Sequence, residues 1–171
     1  GFRLEDREGL IREVRALRTR ASPEALFRSF ASLGGERGWL VWNWAWALRG
    51  FLDRLLGGPG LRRGRRHPTE LLPGEAVDFW RVEAVEPPRL LRLRAEMRLP
   101  GRAWLEWEAR EAEGGSLLVQ TAYFEPKGVT GFLYWWALDP IHRRIFSDLA
   151  RAIVREAEAQ AEAPPRGGGA G

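Results

Sequence analysis

The strongest constraint on the fold is the clustering of tryptophan in the first third of the chain. The stretch GGERGWLVWNWAW, residues 34–46, holds four of the nine tryptophans. A second aromatic segment, FLYWW at 132–136, opens the last predicted helix. Large rings bury much apolar area with few rotatable bonds, so they suit either a thick core or the wall of an apolar pocket. The sequence therefore favours a fold that can enclose a hydrophobic small molecule.

The composition excludes several classes of site. The chain has no cysteine, which rules out disulfides, thiolate catalysis and zinc sites built on cysteine. Its two histidines, His67 and His142, lie far apart and lack a metal-binding spacing, so each is interpreted as a structural or surface residue. We therefore expect neither a metal nor another cofactor.

The net charge of +4 rests almost wholly on arginine, because Lys127 is the only lysine. This bias fits a thermophile or a high-GC genome, two causes that composition does not separate. It also weakens the inference from basic charge to nucleic acid, which we do not expect as a partner. The most apolar run, residues 39–48, is well short of the roughly 20 residues that span a bilayer. With no secretion signal recognised, a cytoplasmic protein is expected.

The length of 171 residues predicts one domain, residues 1–162, followed by a disordered Pro- and Gly-rich tail, 163–171. A first strand is predicted over 10–19. Ser22 as N-cap and Pro23 at the first helical position then predict a helix to about residue 33. A second helix, apolar on most faces, is predicted over 41–56.

Beyond residue 74 the apolar pattern changes to a period of two, which predicts an antiparallel meander. Its strands are expected over 77–86, 90–99, 103–110 and 116–124. A helical pattern follows over 130–161, which Pro140 either kinks or divides. Such a sheet and one amphipathic helix bury each other, giving an α+β domain whose strong curvature would leave a pocket.

Several motifs resemble an uncharacterised domain family found at the C-terminus of atypical short-chain dehydrogenase-like proteins. These motifs are GGERGW, GLRRGRRHP, DFWRVE, LPGRAWLEWE, QTAYFEPKG and FLYWWAL, and the likeness covers residues 12–158. That family is assigned to the START/polyketide-cyclase-like, or helix-grip (SRPBCC), superfamily. The resemblance implies a curved antiparallel sheet wrapped around a long C-terminal helix, and a reductase-like partner domain. No GxGxxG follows a strand here, so the chain is either a stand-alone member or part of a longer protein.

Two sets of residues are candidate ligand contacts. The rings either line a cavity or fill the core: Trp80, Trp104, Trp107, Tyr123, Trp135 and Trp136. Trp104 and Trp107 have opposite strand parity and so face opposite ways. The polar candidates are Asp78, Arg81, Glu106 and Gln120. Arg81, expected to point inward by its parity with Val77, would pair with Glu106 or Asp78, and the alternative is a solvated ion pair on the outer face.

Arg62, Arg65 and Arg66 form the densest positive run and are candidate anion ligands. The alternative is a solvated loop. Three functions remain open from these residues. The first is non-catalytic binding of a lipid, quinone or polyketide-like molecule. The second is a cyclase or isomerase that uses a buried carboxylate with Arg81, and the third is a basic protein associated with membrane surfaces or RNA.

Overall fold

The computed structural model describes eight parts of the chain. They are residues 2–7, 10–33, 39, 55, 66–67, 70–78, 80–96 and 101–162. Of the helix predicted over 41–56, only Leu55 is described, and it is helical. The predicted tail, 163–171, lies outside the described residues, and the extent of the domain stays a prediction.

Seven strands form one antiparallel sheet in the described part of the chain. They are β1 (Phe2–Arg7), β2 (Leu10–Thr19), β3 (Ala76–Val77), β4 (Trp80–Glu86), β5 (Leu90–Ala95), β6 (Gly101–Ala112) and β7 (Gly115–Pro126). Their order is β1-β2-β7-β6-β5-β4-β3. Strands β4 to β7 form the predicted meander. Strand β2 pairs with β1 on one side and with β7, which is far away in sequence, on the other. The sequence predicted β2 but not β1.

The pairing of β2 with β7 explains the glycine at position 115. Gly115 begins β7 and lies opposite Ala112, while the end of β2 runs beside it. A Cβ atom at Gly115 would overlap the carbonyl oxygen of Thr19. Only glycine therefore allows three strands to converge here without a backbone shift.

Among the described residues, two helices cover the inner face of the sheet. Helix α1 (Pro23–Ala31) begins as predicted, with the Ser22 side chain accepting a hydrogen bond from the Ala25 amide at 3.2 Å. Helix α2 (Gly128–Glu162) is continuous, so Pro140 lies inside it and does not divide it. Helix α1 packs on β5, β6 and β7, while α2 packs on β2, β7 and α1.

The core lies between the inner face and these helices. Fully buried members come from all these layers and include Leu26, Phe30, Leu91, Leu93, Leu105, Leu118, Leu149 and Ile153. The period-two pattern of β5 to β7 supplies the sheet side, and the helical stripe of α2 supplies the other. The α+β architecture predicted from these two periodicities is confirmed.

Replacing Leu149 with alanine should lower the free energy of unfolding by about 2–5 kcal/mol, because Leu149 is 0% exposed and the truncation leaves a cavity. Leu133→Ala is the matched control on the same helix, since Leu133 is 60% exposed. It should change stability by no more than about 0.5 kcal/mol. Urea unfolding followed by circular dichroism measures both, and equal losses would contradict this packing.

Candidate functional site

The two faces of the sheet separate residues that the sequence groups together. Directly opposite residues of an antiparallel pair point to the same face. Trp107 lies opposite Gln120, and both are buried on the inner face, beneath the helices. Trp104 lies opposite Tyr123 on the outer face. The opposite orientation predicted for Trp104 and Trp107 is therefore confirmed, and the candidate contacts are divided between the two faces.

Trp107 and Gln120 connect the sheet to α2. The Trp107 indole N–H donates to Gln120 Oε1 at 2.8 Å, and Gln120 Nε2 donates to the Phe146 carbonyl oxygen at 2.9 Å. The Trp107 ring also stacks on Phe30 of α1, with centroids 6.1 Å apart. These contacts give both side chains a structural role on the inner face, and their contact with a ligand stays a prediction.

Trp80 and Asp78 lie at the other side of the sheet, near β3. Trp80 is buried, and its ring centroid is 6.2 Å from that of Trp39. Asp78 is also buried and accepts a hydrogen bond from the Trp39 indole N–H at 3.0 Å. The Asp78 carboxylate therefore helps to fix the first tryptophan of the aromatic cluster against β4.

Arg81 does not point inward, which corrects the prediction from its parity with Val77. Val77 lies opposite Trp80, so Trp80 shares the buried face of Val77 and Arg81 lies on the other face. A β-bulge between Val82 and Ala84 shifts the register of β4. Arg81 and Val85 therefore lie on opposite faces although both positions are odd. Arg81 donates to Glu96 Oε1 at 2.8 Å and to the Gly74 carbonyl oxygen at 2.6 Å, and the predicted pairing with Glu106 or Asp78 is wrong.

Glu106 also faces outward, so it is not an inward-facing carboxylate. It accepts hydrogen bonds from Arg92 Nη2 at 2.9 Å and from the Tyr123 hydroxyl at 3.2 Å. Burial, together with the nearby Glu106 carboxylate, raises the pKa of the Tyr123 hydroxyl. Trp104 belongs to the same face and donates to Glu83 Oε2 at 2.9 Å. These residues form a half-buried network on the outer face, so Glu106 lies on the face that the alternative prediction gave it, with Arg92 as its partner.

An aromatic run joins β7 to α2. Trp135 stacks on Phe124 with centroids 5.3 Å apart and an interplanar angle of 14°. His142 follows at 5.9 Å from Trp135 and 5.6 Å from Phe146. These four rings, the aromatic run, form an apolar wall between the sheet and the first half of α2.

Trp136 points away from this wall, because successive residues of a helix are about 100° apart. Its side chain is 78% exposed, and Phe132 and Leu133 beside it are also exposed. Trp135 and Trp136 therefore do not share one surface, although the sequence groups them as ligand contacts.

Glu13, which is not among the site residues predicted from the sequence, is a buried carboxylate of the inner face. Glu13 lies opposite Ala122 of β7 and is 1% exposed. Arg15 Nη2 donates to Glu13 Oε1 at 2.5 Å and to the Arg143 carbonyl oxygen of α2 at 2.9 Å. Glu13 Oε2 is buried and has no hydrogen-bond partner within the described residues.

Asp139 of α2 completes this group. Its Oδ2 pairs with Arg143 Nε at 2.8 Å, and its Oδ1 is buried without a hydrogen-bond partner in the described part of the chain. Burial raises the pKa of Glu13, and the negative charge of Asp139 acts in the same direction. Arg15 and Arg143 oppose this rise. We call Glu13, Arg15, Asp139 and Arg143 the Glu13 cluster.

A signal for Glu13 exists in the sequence. Glu13 has the same parity as Ile11 and Leu17, so a regular strand places it among apolar side chains. The alternation of β2 is interrupted by arginines, and the strand can be read with either face inward. Only its pairing with β7 fixes which face α2 covers.

The predicted anion site is described only in part. Arg62 and Arg65 lie outside the described residues. Arg66 is exposed and forms an ion pair with Glu75. His67 Nδ1 accepts a hydrogen bond from the Glu70 amide at 3.0 Å, which agrees with the structural role predicted for it. Anion binding by this loop stays a prediction.

Within the described ranges, no group of three or more His, Cys, Asp or Glu side chains has the arrangement of a metal site. No helix among the same residues is both long and apolar enough to cross a membrane.

Comparison with known proteins identifies a family and a fold. The family described as "Protein of unknown function (DUF2867)" matches residues 8–149, while a search of curated proteins gives no match. The structure is similar to the ZhuI aromatase/cyclase from Streptomyces sp. R1128, with 16% identity over 90% of this chain and 97% of that chain and a TM-score of 0.56.

Two other solved structures agree with this similarity. The protein of unknown function SA2116 from Staphylococcus aureus has 12% identity over 90% of this chain and 97% of its own, with a TM-score of 0.54. Ara h 8.0201 has 15% identity over 88% and 99%, with a TM-score of 0.50. At such low identity the likeness concerns the fold alone, and it confirms the predicted helix-grip fold.

Replacing Glu13 with glutamine should change how stability depends on pH. Because the folded-state pKa of Glu13 is raised above 4.5, its contribution is greatest below the unfolded-state pKa and is lost as pH rises through the folded-state pKa. Glutamine imitates the neutral carboxyl at every pH. The stability of Glu13→Gln relative to wild type should therefore increase from about pH 4 to about pH 7 in urea unfolding.

Glu108→Gln is a control of opposite sign. Hydrogen bonding to Arg110 lowers the pKa of Glu108 against the opposing effect of burial, and Arg89 adds to the lowering. Glu108 therefore stabilises the fold above the unfolded-state pKa, and Glu108→Gln should lose stability relative to wild type as pH rises. Parallel pH profiles for wild type and Glu13→Gln would contradict the assignment of Glu13.

Proposed function

We propose that this chain, which belongs to the DUF2867 family of proteins of unknown function, binds a hydrophobic or amphipathic small molecule between the inner face of the sheet and α2. A lipid, a quinone and a polyketide-like molecule are the classes to consider. The proposed role is binding without catalysis.

The observation that carries the proposal is the aromatic run between β7 and α2. Ligand sites combine apolar and aromatic walls with a few convergent polar groups. Here Trp135, Asp139 and His142 follow one another at helical spacing on one face of α2. Trp135 of this face stacks on Phe124, His142 contacts Trp135, and the Asp139 carboxylate belongs to the Glu13 cluster. An apolar wall and a small polar group thus lie side by side on the inner face.

The alternative function, a cyclase or isomerase that uses Arg81 with a buried carboxylate, has less support. Arg81 and Glu106 both face outward and have other partners. The name aromatase/cyclase belongs to a solved neighbour of the same fold, and for this chain it supports testing polyketide-like ligands first. A reductase-like partner domain, a cytoplasmic location and contact with a membrane surface stay predictions.

Native mass spectrometry of the purified protein, followed by organic extraction, tests the proposal directly. A hydrophobic molecule should co-purify with the chain, or one member of a panel of quinones, fatty acids and aromatic polyketides should bind at one molecule per chain. A ligand-free mass together with no binding by any panel member would refute the proposal. The tryptophans of the inner face would then be core residues only.

Trp135→Leu locates the site. Loss of the Trp135 ring removes part of the aromatic run and should weaken binding of the tightest panel member about three- to tenfold. Trp104→Leu is the matched control, because Trp104 is half-buried on the outer face. It should leave the dissociation constant unchanged within about twofold. Isothermal titration calorimetry compares the two variants, and the reverse order would place the ligand on the outer face.

A further inference from the structure

We propose that Glu13 is the polar anchor of the ligand site and that its Oε2 binds a carbonyl or hydroxyl oxygen of a neutral, otherwise apolar molecule. This inference rests on the proposed function and deepens it by naming the chemical class of the ligand. Carboxylate ligands such as free fatty acids are excluded by the same geometry.

One oxygen of the Glu13 carboxyl group, Oε2, has no hydrogen-bond partner in the described part of the chain. Buried polar atoms in folded proteins almost always have a hydrogen-bond partner, because leaving one unpaired forfeits its interaction with water. Two other buried polar side chains of the same interior follow this rule. Gln120 bridges Trp107 and Phe146, and Ser29 donates to the Ile153 carbonyl oxygen at 2.9 Å. Glu13 Oε2 departs from it, although the residue is 1% exposed.

Glu13 lies close to the aromatic run. It lies on the inner face of β2, next to Ile11, which is opposite Phe124 of the aromatic run. Its electrostatic neighbours on α2 are Asp139 and Arg143. A ligand that packs against the aromatic run therefore has the Glu13 carboxyl beside it, at the edge of an otherwise apolar wall.

The charges around Glu13 decide which ligand fits. The groups that act on it are Arg15 of β2 and Asp139 and Arg143 of α2, while β7 presents the neutral Ala122 and Gln120. Each arginine already pairs with a carboxylate, Arg15 with Glu13 and Arg143 with Asp139. A bound anion would therefore lie near two carboxyl groups, while both guanidinium groups of the Glu13 cluster already pair with carboxylates.

A neutral ligand oxygen can form a hydrogen bond with Glu13 without adding negative charge to the Glu13 cluster. An ionised Glu13 accepts a hydrogen bond from a ligand hydroxyl, and a protonated Glu13 also donates one to a ligand carbonyl. Burial raises the pKa of Glu13, which is the direction of the protonated form. Arg15 holds Oε1, so Oε2 is the oxygen available to a ligand carbonyl or hydroxyl. Asp139 Oδ1 is a second acceptor without a partner in the described residues, and it suits a ligand hydroxyl.

Three naphthalene probes of similar shape test this inference by isothermal titration calorimetry. They are 2-acetylnaphthalene with a ketone, 2-isopropenylnaphthalene with no oxygen, and 2-naphthoate with a carboxylate. Wild type should bind the ketone about three- to tenfold more tightly than the hydrocarbon, as expected for one hydrogen bond, and 2-naphthoate most weakly. Glu13→Met, of similar size and without a donor, should abolish the preference for the ketone.

Two further variants serve as controls. Glu13→Gln keeps an N–H donor at the site and should retain most of the preference for the ketone. Glu106→Met makes the same chemical change on the outer face and should leave the preference as in wild type. Equal binding of ketone and hydrocarbon by wild type would overturn the inference, as would a preference that persists in Glu13→Met.

A spectroscopic readout covers the case in which Glu13→Met does not fold. In protein labelled with carboxyl-¹³C glutamate, the Glu13 resonance is assigned by its absence from Glu13→Gln. Saturating 2-acetylnaphthalene should shift this resonance, and an unchanged resonance at saturation would refute the contact. Failure of all three probes to bind would also count against this inference. The proposed function is judged separately, by the co-purification experiment.

Discussion

The structure depends on how the buried polar side chains of the inner face find hydrogen-bond partners within the protein. Trp107 and Gln120 are nearly inaccessible to water. The Trp107 indole N–H donates to Gln120 Oε1 within the sheet, and the Gln120 amide N–H reaches from β7 to the Phe146 carbonyl oxygen of α2. This chain of hydrogen bonds fixes α2 at one place along the sheet. Apolar contacts are non-directional, so they alone would let the helix slide along the sheet. Sliding would leave the buried Gln120 amide without its hydrogen-bond partner, which costs free energy. The register of α2, and with it the faces of Trp135 and Asp139, follows from this contact.

The outer face follows a different principle. Arginine and glutamate alternate across neighbouring strands, so that Arg92 pairs with Glu106 and Arg89 with Glu108. Such half-exposed pairs contribute little stability each. They keep one face of a long antiparallel sheet soluble and leave few uncommitted charges for chemistry. This explains why the many charged strand residues that resemble catalytic candidates in the sequence belong to the solvated side.

Much of the fold could be predicted from the sequence, because it rests on periodicity and capping. The strands β4 to β7, the Ser22 cap and the C-terminal helix all follow from local patterns. The candidate site could not be predicted equally well. The turn that pairs Val77 with Trp80 and the bulge after Val82 both interrupt the strand parity, so the face of Arg81 does not follow from that of Val77 or Val85. Likewise, the inner face of β2 is decided only by pairing with β7, more than 90 residues later, so Glu13 escaped notice.

Glu13 and Arg15 illustrate why a buried ion pair is weak evidence for a purely structural role. Desolvation of the two groups offsets much of their attraction, and well-packed apolar residues often serve stability as well or better. The pair also uses only one oxygen of the carboxylate, because Arg15 Nη2 donates to Glu13 Oε1 and to the Arg143 carbonyl oxygen. A side chain selected for stability alone would not leave its second oxygen buried without a partner. An oxygen placed beside an aromatic wall is instead the kind of polar group that fixes the orientation of an apolar ligand.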